Sequence, residues 1–113
     1  MLYFYNMSSE KNRDQIFKAL AHSRRRTLLD LLKDAPRTTS DLCSHFKSLD
    51  RCTVLQHLGV LERAGLIIVQ KKGRFRWNYL NVVPIRNIYD RWINQYASPS
   101  VKLLTKLKSE LEK

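Results

Sequence analysis

The chain of 113 residues is long enough for one compact hydrophobic core and too short for two comfortable ones. Its 43% hydrophobic and 27% charged residues make an ordinary globular balance, which argues against a disordered or fibrous class. Against 10 Asp and Glu stand 21 Lys and Arg, and the net charge of +11 favours a polyanionic partner, either nucleic acid or an anionic membrane surface.

No stretch approaches the roughly 18 uninterrupted apolar residues that span a bilayer, so a soluble protein without membrane partner is expected. The opening "MLYFYNM" lacks the basic n-region and apolar h-region of a secretory signal, and Met7 looks like an alternative start. Residues 1–8 read as a flexible extension and 9–113 as a single domain. Two cysteines, Cys43 and Cys52, make no disulfide framework, which fits a reducing cytoplasm.

Glu10 to Ala21 has the period of a helix, with Ser9 as N-cap and an apolar stripe of Ile16, Phe17, Leu20 and Ala21. Ser23 is expected to cap a second helix carrying Leu28, Leu29, Leu31 and Leu32, which stops near Lys33 because Pro36 disfavours helical geometry at Ala35. In "RTTSDLCSHF", Thr38 followed three residues later by Asp41 resembles a capping box, opening a short helix that buries Leu42, Cys43 and Phe46. Asp50 caps the next helix, where Val54, Leu58 and Leu61 fall on one face.

Gly65 stands where a C′ glycine ends a helix. The β-branched and aromatic runs "LIIVQ" and "FRWNYL", separated by "KKGR", then read as a hairpin. From Pro84 a helical stripe returns through Ile85, Ile88, Tyr89, Trp92, Ile93 and Tyr96, and after "ASPS" a last helix carries Val101, Leu103, Leu104, Leu107 and Leu111.

Two short helices joined by a tight break, the second exposing polar side chains in its first turns, have the form of a helix-turn-helix whose second helix enters the major groove of DNA. Arg51, Thr53, Leu55, Gln56 and His57 are the expected base-facing residues. The hairpin becomes a wing whose Lys71, Lys72, Arg74 and Arg76 reach phosphates, while Thr38, Thr39 and Ser40 fix the register at a helix N-terminus. The fold class is mainly α with a small β-hairpin: a winged helix-turn-helix of five to six helices and a two-stranded wing.

The stretches "IFKALAHSRRRTLLDLL", "RTTSDLCSHF", "TVLQHLGVLERAGLI" and "GRFRWNYL", in this order, resemble the ArsR-type (arsenic-repressor-like) winged helix-turn-helix transcriptional regulators over residues 16–80. The resemblance implies a homodimeric repressor of a palindromic double-stranded DNA operator, dimerised through helices at 10–21 and 84–112. Ile16, Phe17, Leu20, Ile88, Tyr89, Trp92, Tyr96, Leu104, Leu107 and Leu111 are the expected interface. The wide C-terminal stripes agree, since they carry more apolar surface than a small winged core can cover. Leu55 and His22 stand where the family often has Ser and Asp.

Metal-sensing members carry a Cys-x-Cys on the helix that here reads "DLCSHF". Cys43 and His45 alone do not supply the three or four ligands of a soft-metal site, so Cys43 is expected to pack in the core and no cofactor is expected. A metal- or redox-responsive repressor using Cys43 or Cys52 is one alternative, and a sequence-neutral architectural DNA-binding protein is another. Trp77, Tyr79 and Trp92 are read as core or dimer interface. No nucleophile, base and orienter are spaced for catalysis, so an enzyme is not expected.

Overall fold

The computed structural model describes residues 2–96 and 98–112, with side chains from 11 to 96 and from 101 to 112. Its elements run α1 (Leu2–Leu20), α2 (Ser23–Leu32), β1 (Arg37–Thr38), α3 (Thr39–Ser44), α4 (Arg51–Arg63), β2 (Ile67–Lys72), β3 (Phe75–Leu80), α5 (Val83–Arg91), a 3-10 turn (Ile93–Tyr96) and α6 (Ser98–Leu111). The sheet is antiparallel with order β1-β3-β2.

The first helix starts at Leu2, not at Glu10, so Ser9 lies inside it and the described part of the expected flexible extension continues the helix. Neither Gly nor Pro occurs between Leu2 and Leu20 to stop it. The cap of α2 also differs from expectation: His22, with extended backbone, accepts the Arg24 N–H through Nδ1 at 3.2 Å, and Ser23 is already helical. The third strand was missed because β1 is only two residues long and carries no alternation of its own.

The core is one apolar cluster. Leu28, Leu29 and Leu32 of α2 meet Leu42 of α3, Val54, Leu58 and Leu61 of α4, and Ile67 of β2, with Leu66 between helix and strand. Burying each such side chain stabilises the fold by about 1.5–3 kcal/mol, so the two helices of the helix-turn-helix are held by their apolar sides. Ile16 and Ala19 of α1 and Ile88 of α5 complete the same cluster. Ile16 and Ile88 are 6% and 4% exposed; both are core residues of the protomer rather than the interface residues expected, because α1 packs on α2 and α4 and α5 packs on α1.

Polar side chains fix the joints. Arg37 donates to the Leu31 carbonyl at 2.7 Å and to Asp41 Oδ2 at 2.9 Å, tying the end of α2 to α3. Asn81 donates to the Gly65 carbonyl at 2.9 Å and accepts the Val83 N–H at 3.2 Å, so the exit of the hairpin, the end of α4 and the start of α5 share one residue. Gly65 has φ of 78°, the left-handed conformation a helix C′ position takes, and glycine adopts it without steric cost.

Candidate nucleic-acid interface

Thr38 and Asp50 cap the two helices of the motif as the sequence suggests. Thr38 Oγ1 accepts the Asp41 N–H at 3.1 Å and Asp50 Oδ1 accepts the Thr53 N–H at 2.7 Å. Bonds to the backbone and side chain of Thr53 hold the Asp50 carboxyl below its ordinary value of 3.8, as a carboxylate that accepts N–H groups should be. Ser40 is exposed at the start of α3.

Thr39 is different. It is 3% exposed, and its hydroxyl lies 3.1 Å from the Asn78 amide nitrogen of β3, so its side chain seats the wing against the motif and does not face solvent. Its hydroxyl is therefore turned away from any phosphate, which leaves only the backbone at this position for the expected contact.

On α4, Val54, Leu58 and Leu61 point into the core and leave the opposite side free. Arg51, Leu55 and Gln56 are exposed. The spacing of about 3.6 residues per turn puts Cys52 and Gln56 one above the other on the outward ridge, with Leu55 and Gly59 on the flank nearer the wing. Leu55, Gly59, Glu62, Val69 and Arg76 line a common groove between α4 and the sheet. Cys52 is exposed on the ridge, and continuing the helical period outward from Gln56 reaches both it and Gly59.

Thr53 and His57 occupy the other flank, toward α2, and both are half-buried. The His57 ring lies against His22, tilted by 54° with centroids 4.5 Å apart, and burial, then His22, Arg25 and Arg24, hold its titration below the ordinary 6.5. His57 therefore presents an edge at most to a groove.

The hairpin register pairs Ile67 with Leu80, Val69 with Asn78 and Lys71 with Arg76 on one face, and Ile68 with Tyr79, Gln70 with Trp77 and Lys72 with Phe75 on the other. Lys71 and Arg76 thus extend the core-side face toward the recognition helix. Lys72 lies on the far face, where its Nζ donates to the Tyr79 hydroxyl at 3.2 Å. Trp77 and Tyr79 share that outer face and are half-buried, outside the main cluster. Arg74 follows Gly73, whose φ of 63° makes the turn.

At the other end of the molecule, Phe17, Trp92 and Tyr96 form an exposed aromatic ladder, with edge contacts at centroid distances of 6.3 and 5.5 Å. Tyr89, Leu104, Leu107 and Leu111 are exposed as well, and Leu20 packs partly against the core. Cys43 packs partly against the core and His45 is exposed. Among the described residues no three His, Cys, Asp or Glu side chains are grouped to hold a metal ion, and no helix is long and apolar enough to cross a membrane.

The chain matches a helix-turn-helix domain family over residues 20–70. It is 36% identical over 88 residues to YuzN of Bacillus subtilis (strain 168), an uncharacterized HTH-type transcriptional regulator, spanning 73% of this chain and 96% of that protein. It is 31% identical over 81 residues to the transcriptional repressor SdpR of the same organism, spanning 72% and 89%. The crystal structure of an ArsR family transcriptional regulator superimposes with a TM-score of 0.70 at 29% identity, covering 76% of this chain and 88% of that one.

Proposed function

The chain belongs to the ArsR-type winged helix-turn-helix transcriptional regulators, a family of DNA-binding proteins and not of enzymes, and from that premise we propose that it is a cytoplasmic, homodimeric repressor of a palindromic operator. Each recognition helix α4 lays its outward side in a major groove, with Gln56 and Arg51 reading base edges and Leu55 meeting a thymine methyl. Lys71 and Arg76, with Arg74 and Lys72 at the turn, hold phosphates beside it, and Ser40 and the N-terminus of α3 hold the next.

The observation that carries this reading is the shared groove: Leu55 and Gly59 of the helix and Arg76 of the wing line one surface, on the side where the register also puts Lys71. Specific duplexes are read by such a helix, and the cations beside it supply the salt-dependent share of affinity. Repression follows SdpR, which is named a repressor. Dimerisation is supported by the aromatic ladder and the leucines of α6, which stay exposed in the single chain.

Selection of bound fragments from a random duplex pool at near-physiological salt tests the proposal. A palindrome with half-sites one or two helical turns apart is the expected result. Tight binding with no enrichment would instead identify a sequence-neutral architectural protein. Gln56→Ala should then lower the ratio of specific to random-duplex affinity; equal losses on both would remove base reading from α4.

A further inference from the structure

Arg25, on α2, reaches two elements at once. Its Nε donates to the Ala19 carbonyl at 2.8 Å and its Nη2 to the Lys18 carbonyl at 3.0 Å, which also accepts the Ala21 N–H at 3.2 Å, so the guanidinium is held on the last carbonyls of α1. Its Nη1 lies 3.3 Å from Nδ1 of His57 on the recognition helix. A guanidinium only donates, so His57 Nδ1 is the acceptor and the ring is neutral in this arrangement. The same reasoning makes Nδ1 of His22 an acceptor, since the Arg24 N–H donates to it.

We infer that Arg25 is a positioning residue for DNA reading: its one guanidinium fastens the recognition helix, through neutral His57, to the C-terminal end of α1, without itself touching DNA. The inference rests on the DNA-binding reading of α4 given above. Because α1 also carries Phe17 of the proposed dimer face, the link runs from that face to the recognition helix and fixes the angle at which the helix is presented. A fork of fixed geometry suits this task better than a single ammonium, which cannot reach three acceptors in one plane.

The groups that act on His57 are His22 beside α2 and Arg24 and Arg25 on it, and no carboxylate is among them. Protonating His57 removes the acceptor that Arg25 needs and sets a new cation against His22 and Arg25. Specific affinity should therefore fall as pH drops through the folded-state value of His57, which lies below the ordinary 6.5, while random-duplex affinity, driven by total charge, does not fall with it.

The test uses the full chain, wild type and Arg25→Gln, with the most enriched duplex of the random-pool selection and a scrambled duplex of equal length at several salt concentrations. The His57 imidazole is titrated by NMR without DNA. Expected for Arg25→Gln are a loss of specific affinity of roughly 2- to 30-fold, an unchanged salt slope, and an upward move of the His57 titration. Thermal melting establishes that the variant is folded; should it not be, Arg25→Lys keeps the charge, loses the three-way fork, and is expected to lose affinity with the same salt slope. Unchanged specific affinity, an unmoved His57 titration, or a salt slope flattened by about one, the mark of a direct phosphate contact, each overturns the inference alone. A wild-type chain that binds no duplex overturns the DNA-binding reading itself and the inference with it.

Discussion

Asn78 of the wing and Thr39 of the helix-turn-helix are joined by a buried hydrogen bond, with Asn78 Nδ2 3.1 Å from Thr39 Oγ1 and 3.2 Å from the Arg37 carbonyl. The two side chains are 1% and 3% exposed, so neither can turn to water if its partner is lost. Leaving a buried polar group unpaired costs about 1–3 kcal/mol. Asn78→Leu is expected to destabilise the fold by that amount in urea unfolding and to weaken every duplex, because β3 loses its seat on α3. An unchanged unfolding midpoint would show that the bond contributes nothing net.

Lys71 and Arg76 stand directly opposite each other across β2 and β3. Like charges in that position repel, at a cost of some tenths of a kcal/mol, and an anion placed near both relieves it. Arg76→Gln should therefore slightly raise the stability of the free protein while weakening specific and random duplexes alike and flattening the salt slope by about one. Opposite signs in melting and in binding are the signature; a slope that does not change would remove Arg76 from the phosphate contacts.

The helices of the motif were legible because each has a local cap and an apolar period: Asp50 and Thr38 accept the N–H groups that the sequence spacing assigns them, and Val54, Leu58 and Leu61 are buried as that spacing requires. What was illegible depends on contacts distant in sequence. The burial of Thr39 is decided by Asn78, 39 residues away, and the turning of His57 toward α2 is decided by Arg25, 32 residues away. Ile16 and Ile88 show the same effect in the apolar stripes, since a stripe reveals that a face is covered but not whether the cover is the same chain or another.

Gly59 lies inside α4, where a glycine costs about 0.5–1 kcal/mol relative to alanine. A Cβ there would meet only the flexible Arg63 guanidinium, at 3.3 Å, which can move aside. Gly59→Ala is expected to raise the melting temperature. If the position is kept bare for close approach of DNA beside Gln56, the same substitution lowers duplex affinity, and binding measured on the stabilised variant decides it.

The exposed ladder of Phe17, Trp92 and Tyr96 predicts a second set of outcomes. Trp92 is 55% exposed in the isolated chain, and truncating an aromatic anchor at the centre of an interface costs about 2–4 kcal/mol of association. Trp92→Ala should shift the dimer toward monomer in light scattering at micromolar concentration and weaken a two-half-site operator far more than a single half-site. A monomeric wild type, or a variant that dimerises as before, would place the interface elsewhere.

Acid sensitivity of the fold follows from His57. Its titration in the folded chain lies below the ordinary 6.5, through burial first and then His22, Arg25 and Arg24. Between the folded and unfolded values the unfolded chain holds more protons, so stability rises with pH in that window. The contribution is fully present above 6.5 and is lost as pH falls through the folded value. Asp50, whose value lies below 3.8, adds a separate loss at lower pH. Urea midpoints should therefore fall between pH 7.5 and pH 5.5 in the wild type, and fall less in His57→Gln, which keeps a polar side chain that does not titrate. Equal slopes in the two proteins would assign the acid sensitivity to other groups and leave His57 titrating alike in both states.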